Sequence, residues 1–177
     1  MLGSNIQIMR KILFLTVTVA VLASCINDKP QGANIGVGDV LPHFSVTMND
    51  GSVVSDTSLR GTEALIVFFN TGCGDCRREL PVIQKYYDTC SDTASTRLRQ
   101  AEPTVSSTQV VCISRAETEE SVAAYWHEHG FTMPYSAQPD RRVYELFAST
   151  GIPRIYKVNK EGIITAAWDD KTMPASL

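Results

Sequence analysis

An uninterrupted apolar run, Ala64 to Phe69, is followed closely by two cysteines, Cys73 and Cys76, and then by a segment with helical periodicity. A strand that is apolar on both faces is typical of the centre of a sheet covered by helices on each side. The segment after the cysteines is predicted to be a helix over 77–88, with apolar residues at helical spacing at Leu80, Ile83 and Tyr87. Cys73 and Cys76 are therefore predicted to lie at a strand-to-helix turn.

Strand patterns occur in several other parts of the chain. Residues 42–55 alternate in polarity around the turn signal Asn49-Asp50-Gly51, which predicts a β-hairpin. Further strands are predicted over 109–114, 154–158 and 163–168. The last two are separated by a short turn, so they are expected to form a terminal hairpin.

Two more helices are predicted downstream of the cysteines. One begins near Glu117, where acidic residues favour the positive end of the helix dipole, and is ended by Gly130. The other covers 141–148, and the Ser- and Thr-rich stretch 91–108 is predicted to be a loop with a helical turn near 96–101. The order of elements predicts an α/β fold with a mixed central sheet flanked by helices and an N-terminal β-hairpin extension.

The first 24 residues have the layout of a secretory signal, with Arg10-Lys11 before an apolar run over 12–23 that ends in small residues. The run is shorter than the ~20 residues that cross a bilayer, so a permanent transmembrane helix is the weaker interpretation. Its end, Leu22-Ala23-Ser24-Cys25, resembles the bacterial lipobox, in which the cysteine is lipidated. We expect a signal peptide over 1–24 and a lipidated Cys25 with a flexible tether over 25–37; an ordinary cleaved signal is the alternative.

Charge and length restrict the classes of function. The formal charge is −3, the isoelectric point is about 5.6, and the 16 Lys and Arg residues are scattered, so no basic surface for nucleic acid is predicted. A chain of 177 residues is long enough for one ordinary hydrophobic core. We therefore expect a single folded domain over 38–177.

The position of the two cysteines predicts redox chemistry. A cysteine at the start of a helix lies near unpaired backbone N–H groups, which favour its thiolate. Cys73 is therefore predicted to be the attacking thiolate, and Cys76, one helical turn later, the resolving thiol. This chemistry requires no cofactor beyond the redox-active disulfide Cys73-Cys76.

A zinc half-site and a static disulfide are the alternatives for this cysteine pair. Zinc needs two more ligands, and no second close pair with standard spacing is found among the candidates Cys90, Cys112, His127 and His129. No metal site is therefore predicted. A disulfide closing so short a loop constrains the chain little, because stabilisation grows with loop length.

The chain resembles the TlpA/ResA-type membrane-anchored thiol-disulfide oxidoreductases, which have a thioredoxin-like fold. The resemblance rests on the motif Cys-x-x-Cys-x-x-Glu-x-Pro with a later Gly-Ile-Pro, and its matching stretches are Gly38 to Phe44, Leu59 to Gly61, Leu65 to Pro81 and Gly151 to Pro153. It implies that Pro153 is cis beside the cysteines and that the backbone of Ile152 binds substrate. It also implies that Glu79 assists proton movement, the alternative being a solvated helix glutamate.

The resemblance further implies partners and a location. Family members reduce disulfides of exported proteins, including those formed by the thiols of apocytochrome c, and are re-reduced by a membrane thiol-disulfide electron donor. The domain is expected to face the periplasm from a lipid anchor and to act as a reductase. The local charges do not decide the direction, because Asp75 opposes a thiolate at Cys73 whereas Arg77 and Arg78 favour it.

Three departures from the family pattern are evident. Gly72 stands at the substrate-contact position where the family usually has Trp, and Val67 stands where thioredoxin has a buried acid. Only nine residues follow Trp168, so the closing helix of the fold is expected to be short or missing, which leaves one sheet face poorly covered.

Some alternatives stay open at this point. Cys90 and Cys112 are interpreted as two separate buried thiols, with a Cys90–Cys112 disulfide or a redox relay with the active pair as alternatives. A peroxiredoxin-like peroxidase is a second candidate activity, although the Pro-x-x-x-Thr-x-x-Cys turn that it requires is not present before Cys73. A non-catalytic binding lipoprotein is the third.

Overall fold

The computed structural model describes residues 34–98 and 108–173. Within these ranges the side chains of residues 92–98 are not described. The predicted signal peptide, Cys25 and the tether up to residue 33 lie outside the described residues. The predicted flexible tether is wrong at its end, because the Ile35 N–H donates to the carbonyl of Phe147 at 2.9 Å and so joins the domain. The strands are β1 (Ser45–Thr47), β2 (Val53–Ser55), β3 (Ala64–Phe69), β4 (Gln109–Ser114), β5 (Tyr135–Ser136), β6 (Arg154–Val158) and β7 (Ile164–Trp168). The helices are α1 (Gly74–Leu98), α2 (Glu119–His129) and α3 (Arg142–Glu145).

Five strands form a mixed sheet in the order β5-β4-β3-β6-β7. The central strand β3 pairs in parallel with β4 and antiparallel with β6, and all six of its residues are buried. The central position predicted from its apolar run is confirmed. The edge strand β5 was not predicted, because two residues are too few to show a period.

Both faces of the sheet are covered at its central strand, so the expectation of one poorly covered face is wrong there. Phe68 packs on one face against the rings of Tyr144 and Phe147, with centroids 5.5 and 4.8 Å away. The next residue, Phe69, packs on the other face against Trp126 of α2 at 4.9 Å. Consecutive strand residues point to opposite faces, so these two aromatic rings connect the sheet to both layers.

Helix α1 is longer than predicted. It continues from Gly74 to Leu98, so the loop predicted over 91–108 is wrong at its start. Once a helix is nucleated, each added residue costs little, so a run of Ser and Thr with modest helix propensity can extend it. The predicted helical turn near 96–101 overlaps this extension, and residues 99–107 lie outside the described part.

The other two helices differ from prediction at their ends. Helix α2 is capped by Thr118, whose Oγ1 accepts a hydrogen bond from the Ser121 N–H at 3.3 Å, and it ends at Gly130 with φ 65°. Helix α3 covers only four residues of the predicted 141–148. After it, the Phe147 N–H donates to the carbonyl of Tyr144 three residues back, which is the tighter hydrogen-bond pattern of a 3₁₀ turn.

The two edges of the sheet are covered by N-terminal segments. The predicted hairpin forms as the antiparallel pair β1–β2, and it contacts β5, where the Ser136 Oγ donates to the carbonyl of Thr47 at 2.6 Å. At the other edge, Val40 forms an isolated bridge with Ile163 just before β7. Covering both edges leaves fewer unpaired backbone groups to which another chain could add a strand.

Beyond β7, residues 169–173 form a turn in which the Thr172 N–H donates to the carbonyl of Asp169 at 3.1 Å. Residues 174–177, which follow this turn, lie outside the described residues, so the short or missing closing helix stays a prediction. None of the helices within the described ranges is long and apolar enough to span a bilayer.

Candidate active site

Cys73 lies immediately before the first residue of α1, and its carbonyl accepts a hydrogen bond from the Arg77 N–H at 3.0 Å. The Cys73 side chain is half-buried, whereas Cys76 is fully buried one turn later. Both are free thiols. The structure therefore presents one accessible sulfur at the helix N-terminus and a second, enclosed sulfur behind it.

The Ile152–Pro153 peptide bond is cis, and it lies beside Cys73. The Cys73 thiol is 3.7 Å from the carbonyl oxygen of Ile152, although the two residues are 79 positions apart in sequence. The antiparallel pairing of β3 with β6 explains this contact, because it places the segment before β6 next to the end of β3. The structure thus brings Cys73 together with the segment for which the resemblance to the family implies substrate binding.

A network of hydrogen bonds holds the loop over 70–72, which leads into Cys73. The Asn70 side chain accepts from the Gly72 N–H at 2.9 Å, and the carbonyl of Asn70 accepts from the Cys73 N–H at 3.0 Å. Gly72 itself is exposed, so the loop presents no side chain at the position where a substrate would approach.

Glu117 contacts this loop and was not predicted to belong to the site. Its carboxylate accepts hydrogen bonds from the N–H of Thr71, at 2.9 Å, and from the hydroxyl of Thr71. The sequence contains an indirect signal for this contact: two neighbouring parallel strands end at the same edge of a sheet, and Thr71 and Glu117 follow the ends of β3 and β4.

Burial raises the pKa of the Cys76 thiol above its ordinary value, and the nearby positive charge of Arg115 opposes that rise only in part. Cys76 is therefore protonated in the reduced protein at neutral pH. A reactant approaching from solvent would meet the sulfur of Cys73 first, and the protonated Cys76 would need a proton acceptor before it could act as a nucleophile.

Charged side chains of α1 surround the cysteines. Asp75 forms an ion pair with Arg78, which offsets the negative charge that Asp75 brings close to Cys73. Arg77 donates from Nε to the carbonyl of Thr71 at 2.6 Å, and its guanidinium lies over the ring of Tyr125. Glu79 is half-buried three residues after Cys76, and its carboxylate has no hydrogen-bond partner in the described part of the chain.

The remaining cysteines have separate surroundings. Cys112 is buried in β4, with its sulfur 3.7 Å from that of Met133. Cys90 is half-buried on α1, where it interacts with Tyr86. Both are free thiols, so the structure has two separate thiols and not the alternative Cys90–Cys112 disulfide.

Known proteins share this fold and part of this sequence. The chain is 26% identical over 157 residues to the thiol-disulfide oxidoreductase ResA of Oceanobacillus iheyensis, a match that covers 86% of this chain and 75% of that protein. It is 20% identical over 129 residues to ResA of Bacillus subtilis, covering 73% of this chain and 65% of that protein. No protein-family model matches the chain.

A solved structure supports the same relationship. The thioredoxin domain of a thiol-disulfide oxidoreductase from Bacteroides vulgatus is 25% identical and superposes with a TM-score of 0.61, covering 76% of this chain and 89% of that one. The relatives share an activity class, and the described residues have the thioredoxin-like arrangement of a cysteine pair at a strand-to-helix turn. The chain therefore has a thioredoxin-like fold and is similar in sequence to the ResA-type thiol-disulfide oxidoreductases.

Proposed function

We propose that this protein reduces disulfide bonds in exported proteins, with Cys73 as the nucleophile and Cys76 as the resolving thiol. The observation that carries the proposal is the arrangement of the two sulfurs. The half-buried Cys73 lies at the N-terminus of α1, where unpaired N–H groups stabilise a thiolate, and the buried Cys76 lies one turn behind it.

The reaction takes place in two exchange steps. The Cys73 thiolate attacks one sulfur of the substrate disulfide; the substrate S–S bond breaks, and the other substrate sulfur leaves as a thiolate that takes up a proton. Cys76 then loses its proton and attacks the Cys73 sulfur, which releases the second substrate thiol. Two electrons pass from the cysteine pair to the substrate, and the Cys73–Cys76 disulfide forms.

Pro153, Ile152 and Gly72 are proposed to bind the substrate. The carbonyl of Ile152 is 3.7 Å from the Cys73 sulfur, so a peptide lying along this backbone would pass close to the thiol. Proline lacks an N–H group, and the exposed Gly72 has no side chain. The site can therefore accept substrate segments whose side chains differ from one substrate protein to another.

The protein is expected to accelerate the reduction of insulin disulfides by dithiothreitol. The reason is that the protein holds Cys73 and Cys76 in a fixed geometry for thiol-disulfide exchange, which free dithiothreitol does not have. The measurement is the onset of turbidity as the insulin B chain precipitates, compared with dithiothreitol alone. A reaction no faster than that of dithiothreitol alone would contradict the proposed reductase function.

Glu79 is proposed to accept the proton of Cys76 in the second step. The two residues are three positions apart on α1, so they lie next to each other on one face of the helix. The raised pKa of Cys76 creates the need for such an acceptor. The Glu79 carboxylate is available for this role because no described group hydrogen-bonds to it.

Glu79→Gln is expected to slow the release of substrate from the mixed disulfide by about a hundredfold, because an amide cannot accept this proton. The first exchange step should keep its rate, since Cys73 does not depend on Glu79. Rapid-quench gel analysis separates the two steps, and Glu120→Gln, which changes an exposed glutamate of α2, is the matched control. Equal rates of the second step in both variants would exclude the role.

We also propose that the domain is tethered to a bacterial membrane through a lipid on Cys25 and faces the periplasm, where a membrane thiol-disulfide donor restores the dithiol. The support lies in the basic pair Arg10-Lys11, the apolar run that follows and the lipobox-like Leu22-Ala23-Ser24-Cys25. A lipid and a tether together keep a soluble domain close to a membrane-embedded reductant.

Cells that express the protein are expected to incorporate labelled palmitate into it, and Cys25→Ser is expected to abolish the label, because Cys25 is the only proposed acceptor. The measurement is the label in the immunoprecipitated protein after gel electrophoresis. Cys90→Ser, which removes a cysteine of the folded domain, should keep the label in full. An unlabelled wild type, or a label that survives in Cys25→Ser, would contradict the anchor.

A further inference from the structure

We propose that Glu117 is a positioning residue for thiol-disulfide exchange: its carboxylate holds the loop over 70–72 in the conformation that places Cys73 for attack. The inference rests on the proposed role of Cys73 as the nucleophile. Neither the spacing of the cysteines nor the family motif includes this residue, and only the structure brings it to the site.

The direct contact is between Glu117 and Thr71. One carboxylate oxygen accepts the backbone N–H of Thr71 at 2.9 Å, and the other accepts its hydroxyl. Thr71 is only 7% exposed, so water is poorly placed to replace these two bonds. Losing the carboxylate would leave a buried donor of the loop without a partner, which favours movement of the loop.

Glu117 is itself held in place. Its N–H donates to the carbonyl of Gln138 at 2.8 Å, and the preceding N–H of Ala116 donates to the carbonyl of Asp140 at 3.0 Å. Ala116 has φ 57°, a conformation that is unusual for a residue with a side chain. The connection between β4 and α2 is thus held by its own hydrogen bonds, and Glu117 in this connection binds the loop over 70–72.

Two hydrogen bonds link the loop that contains Thr71 to Cys73 and the start of α1. The Thr71 carbonyl accepts Nε of Arg77 at 2.6 Å, which connects the loop to the first turns of α1. The neighbouring carbonyl of Asn70 accepts the N–H of Cys73 at 3.0 Å. A shift of Thr71 would therefore alter the place of Cys73 relative to the helix N-terminus and to Ile152.

An effect of Glu117 through its charge and an effect through loop positioning predict opposite changes in the reaction rate of Cys73 when Glu117 is replaced by Gln. The two effects can therefore be distinguished by experiment. A negative charge near a thiol disfavours its thiolate, so removing the charge by Glu117→Gln would speed the reaction of Cys73 if charge were the main effect. If the carboxylate acts by holding the loop, the same variant slows Cys73, because an amide has one acceptor atom where the carboxylate has two.

The experiment measures two rate constants of Cys73 in the full-length reduced protein. The first is for alkylation by iodoacetamide as a function of pH, and the second is for thiol-disulfide exchange with a small aromatic disulfide. Glu117→Gln is expected to lower both second-order rate constants about tenfold at neutral pH. Thr71→Val, which removes the hydroxyl donor, should lower them in the same direction, and Thr71→Ser, which keeps it, should restore them. The double variant Glu117→Gln/Thr71→Val should be less than additive.

Glu119→Gln is the matched control, because Glu119 lies on α2 and also accepts a hydrogen bond, from the hydroxyl of Tyr135 at 2.7 Å, away from the loop over 70–72. Its rate constants should equal those of the wild type. Circular dichroism establishes that each variant is folded at the assay temperature, since a purely structural role would lower the melting temperature and leave the rates of the folded protein unchanged.

Unchanged or increased rate constants in folded Glu117→Gln would overturn the inference. The alkylation readout does not require the protein to act on a substrate. Failure of the proposed function would appear as absent disulfide exchange in the wild type, whereas failure of the positioning role would appear as equal alkylation of Cys73 in the wild type and Glu117→Gln.

Discussion

Cys73→Ser is expected to lower disulfide reduction by at least about a thousandfold, the largest effect of any single change in this protein. A serine hydroxyl is not ionised at neutral pH and cannot form a mixed disulfide, so neither exchange step can begin. The measurement is the reduction of insulin, followed as turbidity, at equal concentrations of variant and wild type.

Cys76→Ser should behave differently, because Cys73 can still attack. The first exchange step is retained and the second is blocked, so the variant should accumulate as a mixed disulfide with its substrate. Non-reducing gel electrophoresis detects the adduct, and its disappearance in Cys73→Ser/Cys76→Ser identifies the sulfur responsible. An adduct that persists in the double variant, or full activity of Cys73→Ser, would overturn the assignment of the two sulfurs.

Phe68→Ala is expected to lower the free energy of unfolding by about 3–5 kcal/mol. The Phe68 ring is fully buried at the centre of an aromatic cluster, with Phe147, Tyr144 and Tyr156 at centroid distances of 4.8, 5.5 and 6.3 Å. Its removal would leave a cavity between the sheet and its covering layer, where the surrounding rings cannot all move inward. Urea denaturation followed by circular dichroism measures the change.

Val53→Ala is the control for this substitution, because Val53 also lies on a strand but is 60% exposed. It should change the free energy of unfolding by less than about 0.5 kcal/mol. A loss below about 1 kcal/mol in Phe68→Ala would contradict the packing of the sheet against the segment that carries Tyr144 and Phe147.

The predictions from sequence succeeded where a local pattern is sufficient. The apolar run of β3 identified the central strand, and Thr118 and Gly130 delimit α2 close to the predicted ends. They failed at α1, which continues to Leu98, and at β5. Helix propagation and edge-strand pairing depend on what the segment packs against, and a local pattern does not contain that information.

The candidate site shows the same division. The spacing of Cys73 and Cys76 and the apolar strand before them determined, without any structure, that a cysteine pair lies at a strand-to-helix turn. The spacing of apolar residues along the sequence predicts a single helix or strand and which of its faces is buried. It can do so because this spacing involves only residues that are close together in the sequence.

The resemblance to a known family implied that Ile152 and Pro153 lie beside that turn, but only the tertiary structure showed that Glu117 joins it. Parallel pairing of β3 with β4, in the register Phe69 with Ser114, places Thr71 beside Glu117. Antiparallel pairing of β3 with β6 places Ile152 beside Cys73. Strand order and register are set by the packing of the whole core, and for that reason these contacts could not be read from any one segment.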